Sequence, residues 1–168
     1  MKRIILIIAV LTATILNSNA QSVVAKREFN NTLKAYFDTK NALAKDDVAL
    51  ASTGAKSLLT NIEAFPVKTL TAAQQTLWKA QTAEITKSAT AMVGEKALKE
   101  QRKSFWALST AMLKLTKEFN MNNTELYVQY CPMAKKSWLN EVAAVQNPFY
   151  GSMMYDCGEV TETLAKNK

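Results

Sequence analysis

The sequence predicts an all-α fold: an antiparallel up-down helical bundle of about four helices with an irregular Cys/Met-containing C-terminal segment. Three observations carry this. Alanine, leucine, lysine, glutamine and glutamate dominate residues 21–126, and these are good helix formers. Only Gly54, Pro66 and Gly94 punctuate that stretch. From Tyr127 onward the regularity stops, and both cysteines, Pro132 and Pro148 lie beyond it.

The chain opens on the basic Met1-Lys2-Arg3, then an apolar run over residues 4–16, then Asn17-Ser18-Asn19-Ala20-Gln21. This order of basic, apolar and small-residue regions predicts a signal peptide over residues 1–20, cleaved after Ala20. The run is shorter than the roughly 20 residues a membrane span needs. The expectation is an exported, periplasmic protein with no stable membrane span after signal cleavage, and residues 21–168 as a single helical-bundle domain.

Each helix has its own signals. The first is expected over residues 23–44, with Phe29, Leu33, Tyr36 and Leu43 on one face. Asp46 or Asp47 is placed to cap the next, because a short carboxylate accepts bonds from free N–H groups at the positive helix end. Val48, Ala51, Ala55, Leu58 and Ile62 carry that second helix to Phe65-Pro66, where the proline cannot continue it. Thr71-Ala72-Ala73-Gln74 is a capping-box pattern opening a third helix that runs to about Met92, and Gly94 is its expected C-cap. Leu98, Phe105, Leu108, Met112, Leu115 and Phe119 form one face of a fourth, over residues 95–119. Short connections between amphipathic helices favour up-down packing. Beyond them, residues 126–130 alternate as an extended segment does. Residues 137–144 and 158–165 are expected as short helices.

Composition excludes several functions. The net charge is +7, but the charges are interleaved, without the clustered basic face that nucleic-acid binding needs. The chain contains no histidine, which removes Ser-His and Cys-His nucleophilic arrangements. Asp46/Asp47 reads as a cap and Asp156/Glu159 as a turn, and no Gly-rich phosphate loop or CxxC motif is present. The expectation is a protein that is not an enzyme.

What remains is sulfur. Cys131 and Met133 flank Pro132, and Met154 stands three residues before Cys157, with Met153 as a spare. Two thiols with thioethers and no imidazole suit Cu(I) or a similar soft metal over Mg, Ca or Mn. The alternative is equally direct, since cysteine pairs of exported proteins oxidise. A Cys131–Cys157 bridge closes a loop of about 26 residues and contributes roughly 3–4 kcal/mol in the chain-entropy model. The three methionines are then core filler. The two readings are compatible as the reduced and oxidised states of one site.

Tyr127-Val128-Gln129-Tyr130-Cys131-Pro132-Met133-Ala134, Trp138-Leu139, Asn147-Pro148-Phe149-Tyr150-Gly151 and Met154 with Cys157-Gly158-Glu159-Val160 form an ordered set of motifs. Upstream stand Lys40-Asn41-Ala42-Leu43 with Asp46-Asp47, and Gln101-Arg102-Lys103-Ser104-Phe105 with Leu108-Ser109. Together they resemble a bacterial family catalogued as domain of unknown function 3347. The resemblance implies export and, because some such domains are attached to periplasmic adaptor subunits of Cus-type copper and silver efflux systems, soft-metal handling. It implies metal-ligand roles for Cys131, Met133, Met154 and Cys157, with Cu(I) or Ag(I) as the ion and an efflux adaptor as partner. One departure is the short Lys135-Lys136-Ser137 approach to Trp138, where family members often have a longer, glycine-containing one. The leading expectation is a periplasmic Cu(I)/Ag(I) binder that buffers metal or delivers it to an efflux system. The alternative is a disulfide-stapled, non-catalytic interaction module of the cell envelope.

Overall fold

The computed structural model describes the backbone of residues 2–167 and the side chains of residues 23–167. The predicted signal peptide, residues 1–20, lies outside the residues whose side chains are described. Four helices form the body: α1 (Lys2–Ala44), α2 (Val48–Ala64), α3 (Ala72–Gly94) and α4 (Leu98–Phe119). A three-stranded sheet follows, made of β1 (Leu126–Cys131), β2 (Lys136–Asn140) and β3 (Glu159–Leu164). The fold is therefore mostly helical but not purely all-α.

The helix signals map onto the helix ends. Asp47 caps α2, accepting from the Leu50 N–H at 2.8 Å. Phe65, before Pro66, is extended at ψ 131° and ends it. Thr71 and Gln74 make both bonds of the capping box. Gly94, expected as a cap, is instead the last residue of α3, and an extended Glu95 closes the helix with its N–H on the Met92 carbonyl. Asn120, left-handed at φ 47°, ends α4. Each helix packs chiefly on its sequence neighbour. Rings close the bundle: Phe29 meets Phe119 at 5.5 Å, and Tyr36 stacks on Phe105 at 5.6 Å. The predicted core residues Phe29, Leu33, Tyr36, Leu43, Leu58, Phe105, Leu108, Met112 and Leu115 are buried there.

The C-terminal segment corrects the expectation of irregular chain with two short helices. It is an antiparallel sheet in the order β2-β1-β3. β1 pairs with β2 from Tyr127↔Asn140 to Cys131↔Lys136, and with β3 from Leu126↔Leu164 to Tyr130↔Glu159, with an irregularity at Val128/Gln129. The physical reason lies in two buried amides. Gln129 Nε2 donates to the carbonyls of Val142, Ala143 and Ala144 at 3.1–3.2 Å. Asn140 Nδ2 donates to the Ala144 carbonyl at 2.9 Å and to Gln129 Oε1 at 3.0 Å. Those carbonyls are drawn onto side chains instead of an i→i−4 ladder, and tertiary context overrides helix propensity. In the second case residues 159–164 pair with β1, which commits their backbone groups to the sheet ladder.

The sheet is stitched to the bundle by polar side chains. Tyr36 Oη accepts from the Leu139 N–H at 3.1 Å and lies 2.8 Å from Ser109 Oγ, which donates to the Ser137 carbonyl at 3.3 Å. Lys40, fully buried, donates to Asn140 Oδ1 and Gln146 Oε1 and lies 3.3 Å from Glu141 Oε2. Burial lowers its pKa to about 8, partly offset by Glu141. A buried ammonium is tolerated only when its donors are satisfied in this way.

Candidate functional site

β1 delivers Cys131 to the end of the sheet, where the chain reverses through residues 132–135. Lys135 adopts φ 54°, and its N–H bonds the Cys131 carbonyl at 2.8 Å. Cys157 arrives from the other side, after the 3-10 turn Gly151–Met154, with its N–H on the Met154 carbonyl at 3.2 Å. Gly158 lets the chain pass close to β1: a Cβ there would lie 2.8 Å from the Tyr130 carbonyl oxygen. The two sulfurs lie 3.3 Å apart, as free thiols.

Their environments differ. Cys131 is buried and Cys157 is half-buried. Burial alone pushes the Cys131 thiol up, but the Ala134 N–H (3.4 Å from Sγ), the Cys157 thiol, the Met133 N–H and the Asn147 amide together outweigh it and bring the pKa below the ordinary thiol range. Cys157 is pushed up, first by its hydrogen bond to Cys131, then by burial and the neighbouring Cys131 and Asp156 charges. The pair is thus a buried sulfur whose neighbours favour its ionisation beside a more exposed sulfur whose neighbours oppose it.

Asn147 holds this arrangement, and the sequence reading did not single it out as a site residue. It is fully buried. Its Nδ2 donates to the Cys157 carbonyl at 2.9 Å, and its Oδ1 accepts from the N–H groups of Phe149 and Tyr150 at 2.8 and 3.2 Å. Its own N–H bonds the Tyr155 carbonyl at 2.8 Å. An Asn directly before Pro is the sequence signal that could have found it, since its side chain readily closes a local turn.

A second clamp ties this loop to the bundle. Arg102 donates to the Leu43 carbonyl at 2.9 Å and the Pro148 carbonyl at 3.0 Å, and pairs with Asp46. Asp46, left-handed at φ 61°, also accepts from Ser152 through both N–H and Oγ. The Ser152 bonds, with Arg102, hold its carboxyl below the usual range against the opposing effect of burial. Of the Asp46/Asp47 pair, one residue caps α2 and the other clamps the thiol loop.

The methionines are placed differently from the cysteines. Met133 is 61% exposed and lines a groove of about 560 Å³ together with Met153, which is 75% exposed. Met154 is half-buried within the 3-10 turn. Among the described residues no group of three or more His, Cys, Asp or Glu side chains is gathered, so any ion here rests on two thiols and whatever thioethers or backbone atoms join them. No helix of the described residues is long and apolar enough to cross a membrane.

Fold and site together define a helical-bundle protein that carries a small antiparallel sheet and a paired-thiol corner at its C-terminal end. The chain belongs to the family described as Protein of unknown function (DUF3347), whose model matches residues 32–124, more than half of the sequence. That match spans α2, α3, α4 and part of α1, including Lys40, Asp46 and Arg102, and ends before β1. No curated protein and no solved structure matches the chain.

Proposed function

We propose that this protein is a periplasmic soft-metal binder that holds Cu(I) or Ag(I) between Cys131 and Cys157, with Met133 and Met154 as flanking thioether donors. The observation that carries the reading is the approach of the two sulfurs to 3.3 Å, one of them held toward thiolate. The donor set fits a soft ion, because its paired groups are two thiols and the chain has no histidine. The required movement is small. With metal–thiolate bonds of roughly 2.3 Å, two sulfurs around one ion stand about 3.8–4.6 Å apart. The pair therefore opens by about half an ångström for a bent arrangement and more for a linear one. Met133 and Met154 sit on the two segments that carry the thiols, two and three residues from Cys131 and Cys157, and are the thioether donors assigned to the ion in this reading. The role is binding without catalysis: buffering the ion after export, or passing it to an efflux adaptor, as the family resemblance implies.

The reading is tested by anaerobic Cu(I) titration of the reduced protein against a competing chromophoric chelator. Tight one-to-one binding is expected, abolished by Cys131→Ser or Cys157→Ser and weakened by Met133→Leu or Met154→Leu. High affinity retained in both serine variants overturns it.

A second reading, the disulfide-stapled interaction module, is favoured by one feature: Cys157, half-buried, is hydrogen-bonded to a sulfur already biased toward the nucleophilic thiolate. Bond formation requires the sulfurs to approach by about 1.3 Å from 3.3 Å, to the roughly 2.05 Å of a disulfide, and an external disulfide as two-electron oxidant, which leaves as a dithiol carrying the two protons. The thiol count of protein taken directly from the periplasm separates the two: two free thiols support the metal site, none the staple.

A further inference from the structure

We propose that the groove between the start of α4 and the β1–β2 turn is a docking site for an extended acidic segment of a partner protein that carries apolar or thioether side chains. The groove encloses about 560 Å³. Phe149 and Tyr150 line it with Met133 and Met153, and Lys99, Lys103 and Lys136 stand around it. Two features argue for the occupant.

The first is charge. Glu100 is the one acidic residue lining the groove, and it lies 3.6 Å from Lys103. Arg102 is already paired with Asp46. Lys99 and Lys136 are in no ion pair among the described residues, and the Lys136 ammonium lies 5.2 Å from the ring centres of both Trp106 and Phe149. The surplus is positive, and it sits beside the first turn of α4. Acidic side chains complement it.

The second is the wall. Met133 and Met153 are among the most exposed large apolar side chains described. Flexible thioethers at an exposed surface mould to apolar partner residues. A concave groove with cations around it fits a chain segment better than the plane of an anionic membrane. The proposal goes beyond metal binding and does not depend on it.

The test is fluorescence anisotropy with a labelled synthetic peptide of alternating Glu and Met, against a control peptide with Lys in place of Glu. The Glu-Met peptide is expected to bind, to weaken with rising salt, and to bind about tenfold more weakly to Lys99→Glu/Lys103→Glu, two solvent-facing changes whose folding circular dichroism checks. Met153→Asp, on the opposite wall, weakens it as well. Absence of binding at millimolar protein, equal binding of the Lys-Met peptide, or unchanged affinity in the charge-reversed protein overturns the proposal. Binding of anionic phosphatidylglycerol vesicles without peptide binding overturns it in favour of a membrane surface. A protein that binds the peptide but no Cu(I) sustains the groove and defeats the metal reading alone.

Discussion

Gly151→Ala is the sharpest single perturbation of the loop that carries Cys157. Gly151 is buried and holds φ 58° — a left-handed conformation that costs a side chain about 1–2 kcal/mol. A Cβ there would also lie 1.9 Å from Asp46 Oδ1 and 2.0 Å from Arg102 Nη2. Neither atom retreats freely. Asp46 is held by Ser152, and Arg102 by the Leu43 and Pro148 carbonyls. Breaking a fully buried ion pair costs about 3–5 kcal/mol, but Asp46 is 31% exposed, so solvent screening reduces this to about 1–2 kcal/mol. The sum is a loss of about 2–4 kcal/mol, from left-handed strain and a displaced clamp. Urea unfolding followed by tryptophan fluorescence reads it, as a lower midpoint at constant slope. Because the clamp seats the turn before Cys157, alkylation of the thiol pair under native conditions should also accelerate. A variant within about 0.5 kcal/mol of the parent, the range of ordinary surface changes, with unchanged alkylation would refute the claim that this clamp positions the thiol loop.

Further outcomes follow from the buried polar groups. Lys40 has a folded pKa of about 8 against an ordinary 10.5, so between those values the unfolded chain binds the extra proton and this residue's contribution to stability rises with pH. Compared with Lys40→Met, the parent should gain about 1.5 kcal/mol between pH 8 and 9.5, as read by urea unfolding at each pH; equal slopes in the two proteins would contradict it. The range stops below pH 10 because Tyr36, whose hydroxyl burial pushes well up, works in the opposite sense above its unfolded value. Asn147→Ala leaves the Phe149 and Tyr150 N–H groups and the Cys157 carbonyl without partners and should cost about 2–4 kcal/mol. It should also raise the pH midpoint of Cys131 alkylation, since one hydrogen bond to the thiolate is lost; an unmoved midpoint would show that Asn147 shapes the loop without touching the thiol.

The helical body was legible because its signals are local. Phe65-Pro66 and the Thr71–Gln74 box act within a few residues, and both mark helix ends in the structure. Of the sheet, the alternation over residues 126–130 was legible as extended chain and forms β1, but β2 and β3 were not, because what defeats a helix over residues 137–144 is the Gln129 side chain, more than ten positions from the carbonyls it holds. Asp46 and Asp47 show the same limit within one dipeptide. Asp47 caps, as its position suggests, whereas Asp46 turns left-handed and reaches Arg102 and Ser152 across the fold. The cysteines stood out by composition, and their closeness required a strand pairing that no periodicity encodes. Several residues that carried the family resemblance act as tethers: Lys40 and Ser109 join the bundle to the sheet, and Asp46 and Arg102 join it to the loop before Cys157.

The central claim is that two thiols brought together by β1 and the turn before β3 take a soft ion. Copper K-edge X-ray absorption of the anaerobically Cu(I)-loaded protein tests it most directly. A first shell of sulfur alone, lost or replaced by oxygen or nitrogen donors in Cys131→Ser, is the predicted result. An oxygen- or nitrogen-dominated shell in the parent, or a spectrum unchanged by removing Cys131, would contradict the account.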